Sequence, residues 1–256
     1  MSNTLKKSTT ACLMGMFTLG TLLAVPAKAD DWQHQAGVTA FAFGMEGDAG
    51  VKGITAPVDL GISDVVSDLD AAFTLLVQGS NNSWGYWASY EFVGLNDSTT
   101  FRGPADLIDF KVNGKVSIDI QIIDAGLSWN VPGVEWLELV AGARGWILEE
   151  ALRVERSSSI GGNLRSVSTQ DEWIDGFAGV RAKFPLSDRW SITARADAGA
   201  GDSDSTYQAL AMLNYRAGER WTTSFGARYL SVDYSDDGFL FDMEMTGLEI
   251  AALYSF

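Results

Sequence analysis

The sequence predicts an all-β protein: a closed antiparallel barrel of about ten strands, with eight or twelve as alternatives, that crosses a membrane. Three observations carry this. Ten segments alternate apolar and polar residues with period two, the mark of a strand whose two faces meet different surroundings. The connections alternate between short and long, as in a transmembrane barrel with short turns at one end and longer loops at the other. Trp recurs beside the short turns, and amphipathic rings favour the membrane–water boundary.

The strands are expected at about 33–44, 71–79, 84–95, 115–129, 136–148, 172–184, 190–200, 205–216, 221–234 and 242–256. Two of them share a phrase: LSDRWSITAR at 186–195 and AGERWTTSFGAR at 217–228. In each, an acid and an Arg form a polar turn, a Trp follows, and an alternating run leads to a second Arg. Trp190, Ile192, Ala194, Ala196 and Ala198 fall on one face, and Trp221, Thr223, Phe225, Ala227 and Tyr229 do so in the second copy. The repeated corner is thus where the chain turns and re-enters the bilayer.

Trp84, Trp136, Trp190 and Trp221 follow short turns, and Trp129 precedes one. Trp84, Trp129, Trp190, Trp221, Tyr254 and Phe256 are therefore the expected interfacial aromatics. Trp136 is out of phase with outward Leu137, Leu139, Ala141 and Ala143, so it sits in its turn or points inward. Between Ile122 and Ile123 the apolar face changes parity. A β-bulge would do this; a strand leaving the bilayer is the preferred account.

The long connections are expected at 45–70, 96–114 and 149–171. In the first, GISDVVSDLD offers Ser63 as a helix N-cap with Val65, Val66 and Leu69 on one side. That short helix packs on the barrel rim or acts as a lid over the mouth. The acidic tips GDSDS (201–205) and YSDDGF (234–239) could share divalent cations with lipopolysaccharide phosphates.

A soluble β-sandwich or lipocalin-like barrel would alternate too, with its apolar face inward. The Trp positions and the terminal Phe256 argue against it. So does strand 205–216, whose second face of Gln208, Leu210, Met212 and Asn214 carries no charge. It reads as covered by lipid on one side and by a packed lumen on the other.

Residues 1–29 read as a cleaved secretory signal peptide: Lys6 and Lys7, the apolar stretch ACLMGMFTLGTLLAVP, then Ala27-Lys28-Ala29. The barrel domain is 30–256. Cys12 leaves with the leader, so no disulfide is expected. The chain has 18 basic and 33 acidic residues; without the leader it carries 15 against 33, a formal charge of −18. Such a balance is unsuited to nucleic acid. No stretch of the mature chain is apolar enough for a membrane helix.

The inward faces gather ionisable residues: Glu91, Asp124, Glu138, Arg144, Asp175, Arg181, Lys183, Arg195, Asp197, Arg228 and Glu249. Eight strands are just filled by their side chains, so ten leave limited room. Buried charges must pair. They therefore form either a salt-bridged plug or a polar constriction that sorts small solutes. No enzyme is expected: His34 is the only histidine, and it stands at the short-turn end without a nucleophile or acid pattern around it. No metal-ligand spacing and no phosphate loop are present, and no cofactor is expected.

Leu248, Ile250, Ala252, Tyr254 and Phe256 alternate to a terminal aromatic, which resembles the C-terminal assembly signal of bacterial outer-membrane proteins. From FAGVRAKFPLSDRW through GARYLSVDYSDDGF (177–239), the chain resembles a family of uncharacterised proteobacterial outer-membrane β-barrel proteins within the porin and small outer-membrane-protein superfamily. GISDVVSDLD followed by AAFTLLVQGSNNSWGYWASYEFVGL looks like that family's first loop and second hairpin. The resemblance implies a Gram-negative outer-membrane location after export through the periplasm. It implies lipid and lipopolysaccharide as partners, and the barrel-assembly machinery as reader of the last strand. It implies no settled activity. Leu210 and Met212 stand inward where that family tends to have Gly, which narrows the lumen. The functional expectation is a narrow or gated passive channel for small solutes. The alternative is a closed structural or surface-interaction barrel, and a lipid-modifying enzyme is more remote.

Overall fold

The computed structural model describes residues 32–51, 54–97, 100–102, 111–156 and 165–256; the leader expected at 1–29 lies outside the described residues. The strands are β1 (Gln33–Val51), β2 (Ile54–Leu60), β3 (Leu69–Ser80), β4 (Trp84–Asp97), β5 (Thr100–Arg102) and β6 (Lys111–Asn130). They continue as β7 (Leu137–Arg156), β8 (Arg165–Pro185), β9 (Trp190–Gly201), β10 (Ser205–Ala217), β11 (Trp221–Asp236) and β12 (Phe239–Ser255), and among the described residues there is one helix, α1 (Ile62–Asp68).

β1, β3, β4 and β6 through β12 follow one another around the sheet, and β12 pairs with β1 to close it. These are the ten spanning strands, all antiparallel to their neighbours. β2 and β5 are short additions that pair β1 and β6 beyond the barrel wall. Closure removes the free edges that lipid cannot satisfy, which is why a sheet must become a barrel to cross a bilayer. No described helix is long and apolar enough to do so.

Alternation decides which way each strand faces. Val38, Leu75, Ile123, Leu127, Leu139, Ile174, Val180, Leu213, Phe225, Leu248 and Ile250 are exposed on the outer wall and form an apolar belt. Such a belt is about 25 Å tall in barrels of this kind. Trp84, Trp129, Trp190, Trp221 and Phe256 are exposed along its short-turn edge. Trp84 lies opposite Trp129. Trp190 packs on Tyr215 with ring centroids 4.7 Å apart, and Trp221 on Tyr254 at 5.2 Å. Each repeated corner thus clamps a Tyr of the adjoining strand at the interface. In the second copy, Arg220 also donates to the Tyr254 hydroxyl at 2.7 Å. Trp136 is in its turn, exposed, and stacked on Phe184 at 5.5 Å.

The long connections are mostly strand. β6, β7 and β8 continue beyond the belt as tall hairpins, so 149–156 and 165–171 are paired rather than loop. β1 and β2 do the same over 45–60. The acidic YSDDGF tip is a two-residue hairpin turn. Asp237 and Gly238 have φ of 40° and 85°, the left-handed pair that suits the twist of the flanking strands.

The parity change at Ile122–Ile123 has a different cause from a bulge. β6 keeps unbroken register with β4 and β7. Ile120 and Ile122 are buried inside the barrel, whereas Ile123 is exposed on its outer wall. What changes is the surroundings. Inside the bilayer the outer face must be apolar. Beyond it the outer face meets water, and the interior takes the apolar residues.

Candidate functional site

The interior is built in two storeys. The storey at the level of the belt is ionic. Asp124 on β6 lies opposite Arg144 on β7. The Arg144 guanidinium is 3.0 Å from Asp124 and 3.0 Å from Asp197 of β9. It also donates to Thr206 of β10 at 3.1 Å. Arg195 completes a square, 3.4 Å from Asp124 and 2.8 Å from Asp197. Arg144 and Asp197 have fully buried side chains. Gln208 donates to Asp197 at 3.5 Å.

Two aromatic rings lie among these cations. Trp87 donates its indole N–H to Asp124, and Arg195 and Arg181 stand 4.5 and 4.7 Å from its ring. Arg144 and Arg195 are each 5.0 Å from the Phe177 ring. Glycine makes the space. A Cβ at Gly126 would fall 2.4 Å from the Trp87 ring, and one at Gly142 2.6 Å from Phe177. A cation over a ring gains about 0.5–2 kcal/mol, more as water is excluded.

Two smaller groups flank the square. Towards the short turns, Glu138 is 3.3 Å from Arg181 and 2.5 Å from Lys183. On the wall of β4, β11 and β12, Arg228 is 2.7 Å from Glu91 and 3.9 Å from Glu249. Its guanidinium stands 5.0 Å from the Phe41 ring. Asp175 faces inward but stays outside the ion pairs, accepting the backbone N–H of Ser203 at 2.9 Å. Together these inward groups of the belt level are six acids and five bases, close to neutral in a strongly acidic chain.

The outer storey is apolar. Phe41, Phe43, Met45, Ile120, Ile122, Trp146, Leu148, Trp173, Leu230, Val232, Tyr234, Phe241, Met243 and Met245 form one buried cluster. Trp173 is stacked between Trp146 at 5.6 Å and Tyr234 at 4.2 Å. Leu230 and Val232 have no exposed surface. Sequence reasoning missed this storey. Its signal was present in Phe239, Phe241, Met243 and Met245, one apolar face running on past the belt. Trp87, Phe177 and Thr206 were also missed; inward parity could have found them. Met212 is buried inside, as its parity required.

Outside, above the belt, the wall turns acidic. Glu46 lies opposite Asp59 and Glu244, and Asp48 opposite Asp242. Asp233 also lies opposite Asp242. Burial pushes the Asp233 carboxyl above its ordinary range, and neighbouring Asp242 and Asp204 add to this. His34 is on the other rim, bonded through Nδ1 to the Tyr86 hydroxyl at 2.9 Å and stacked near Trp32 and Phe256. Among the described residues no group of His, Cys, Asp and Glu is arranged to hold a metal ion.

No family model and no curated protein matches the chain. Among solved structures it is similar to Ail, the attachment invasion locus protein of Yersinia pestis, with TM-score 0.37 and 14% identity over 88% of this chain and 99% of that one. It is similar to the outer membrane protease OmpT of Escherichia coli, with TM-score 0.46 and 10% identity over 88% and 97%. It is similar to the translocator domain of the autotransporter NalP from Neisseria meningitidis, with TM-score 0.42 and 16% identity over 90% of each. These likenesses assign no activity.

Proposed function

We propose that this protein is a closed barrel of the bacterial outer membrane, a wall and surface element without an aqueous path for solutes. One observation supports the reading: the interior is occupied at two levels. At the belt, Arg144 is fully buried in an ion-paired square that reaches β6, β7, β9 and β10. Beyond it the stacked aromatics and methionines fill the interior. A conducting constriction presents charge of one sign to passing ions; here acids and bases neutralise one another. The reading assigns no catalysis, since His34 is engaged at the outer wall away from the lumenal carboxylates. The partners it implies are the surrounding lipids and, through Tyr254 and Phe256, the assembly machinery.

The test is conductance of the refolded barrel in a planar bilayer, after heat-modified gel migration has established folding. A folded protein that gives no steps is the expected result. Reproducible ion-selective steps that change in Arg195→Gln would overturn the reading in favour of a gated channel.

A further inference from the structure

Among the described residues the barrel wall has a slit between β1 and β3. β1 pairs with β3 only from Gln33 opposite Ser80 to Thr39 opposite Thr74, and β2 takes up that side of β1 only at Met45 opposite Leu60. Residues 40–44 have neither strand beside them. They lie in the belt, since Ala40 is opposite Ile250 and Ala42 opposite Leu248 on the other side. An unpaired strand edge at this depth is costly because no water reaches it.

Helix α1 stands at this slit. Gly44 lets it begin there: a Cβ on Gly44 would be 2.8 Å from the Leu60 carbonyl oxygen and 3.3 Å from the Ile62 nitrogen. The cap is Gly61 rather than Ser63. The Gly61 carbonyl accepts from Asp64 and Val65, and the Asp64 carboxylate accepts the Gly61 N–H at 3.0 Å, a capping box closed by its acid. Ile62, Val65 and Val66 share one side at i, i+3 and i+4, while Ser63, Asp64 and Ser67 are polar. Val65 is buried in the apolar storey and Val66 is exposed. The helix is therefore part of the wall, neither a lid over the mouth nor a rim turn.

A cavity of about 290 Å³ opens here, and Val65 and Phe43 meet its inner side. Its floor is Ala40 and Ala42; Val66 bounds one side and Phe225, Leu248 and Ile250 the other. Phe225 and Ile250 are 56% and 58% exposed, so the mouth opens on the lipid-facing belt. Above it, beyond Gly44, the next outward side chain of β1 is Glu46, and Asp64 is exposed on α1.

We propose that this groove seats one acyl chain of a zwitterionic phospholipid. Hydrocarbon is the only solvent at that depth, and two alanines between taller neighbours leave an apolar trough. The head would emerge beside Glu46 and Asp64, where an ammonium group is favoured and a phosphate-rich head is opposed. The seat is independent of whether the lumen conducts.

The test is native mass spectrometry of the delipidated, refolded full barrel titrated with dioleoyl phosphatidylethanolamine. Wild type is expected to retain one lipid. Ala42→Phe, which fills the floor, and Ile250→Ala, which removes a wall, are each expected to weaken retention about tenfold. Ala141→Phe on the outward face of β7 is the control and should match wild type. A wild type that retains no lipid, an Ala42→Phe or Ile250→Ala variant that retains it fully, or equal loss in Ala141→Phe overturns the site. Preference for diphosphorylated lipid A overturns the assignment of the head. Gel migration checks each variant's folding, and either groove variant alone decides the outcome if the other fails to refold.

Discussion

The two storeys of this barrel obey opposite rules on the same strands. In the belt, Phe225 faces lipid, while Arg228 on the same strand faces an ionic interior. A few residues along β11, Ser231 and Asp233 face water, and Leu230 and Val232 fill an apolar core. Strand, register and parity do not change; the outside medium does. The hydrophobic effect sets direction only relative to water. Lipid contributes no drive to bury apolar groups inside, so the belt interior is free to be polar if its charges pair. The outer storey is an ordinary hydrophobic core wrapped in a sheet.

That contrast can be broken storey by storey. The largest effect is expected from Arg144→Met. It strands Asp124 and Asp197 and should lower stability by about 3–5 kcal/mol, read from urea unfolding in a fixed detergent. Leu230→Ala in the apolar storey should cost about 3 kcal/mol through its cavity. An apolar storey indifferent to that change would not be a packed core. A matched pair on the outer face of β11 sharpens the comparison. Phe225→Arg, at mid-belt, should cost about 2–4 kcal/mol, and Ser231→Arg, above the belt, no more than about 1 kcal/mol. Equal costs would place the bilayer edge wrongly.

The smallest effect concerns the acidic rim. Asp233 and Asp242 are directly opposed like charges, so Asp233→Asn should stabilise by about 0.5 kcal/mol at neutral pH. The raised Asp233 carboxyl also fixes a sign. The folded state takes up its proton more readily than the unfolded chain, so this residue favours folding as pH falls through that raised value and opposes it as pH rises. Unfolding midpoints measured from pH 7 down to pH 4 should show the difference between Asp233→Asn and wild type shrinking. A constant difference would remove the charge explanation.

Much of the fold was legible because alternation reports a boundary between two media directly. All ten spanning strands lie where the period-two runs place them, and the Trp positions mark the rim. The eleven inward ionisable residues follow from the same parity. Their partners do not, because pairing depends on which strands meet across the lumen. Arg144 finds Asp197 across a sequence gap that no local pattern records. Asp175 is inward by parity yet takes a backbone N–H instead of an Arg. The extra lengths at 111–114, 149–156 and 165–171 were read as loops because polar outward residues such as Glu149 ended the apolar alternation, although the strands continue. The helix cap was misplaced for a local reason. Ser63 has the preferred residue type, but the Asp64 carboxylate reaches back to the Gly61 N–H only when the cap lies two residues earlier.

The seam between the first and last strands sets an order of events. β1 meets β12 from Gln35 opposite Ser255 to Val51 opposite Phe239, and the Phe256 N–H reaches back to the His34 carbonyl at 3.1 Å. β1 is made first and its partner last, so a long edge stays open until the last strand is in place. That edge is a template for misassociation for as long as it waits. Fidelity of assembly therefore rests on how long β1 waits before β12 covers it.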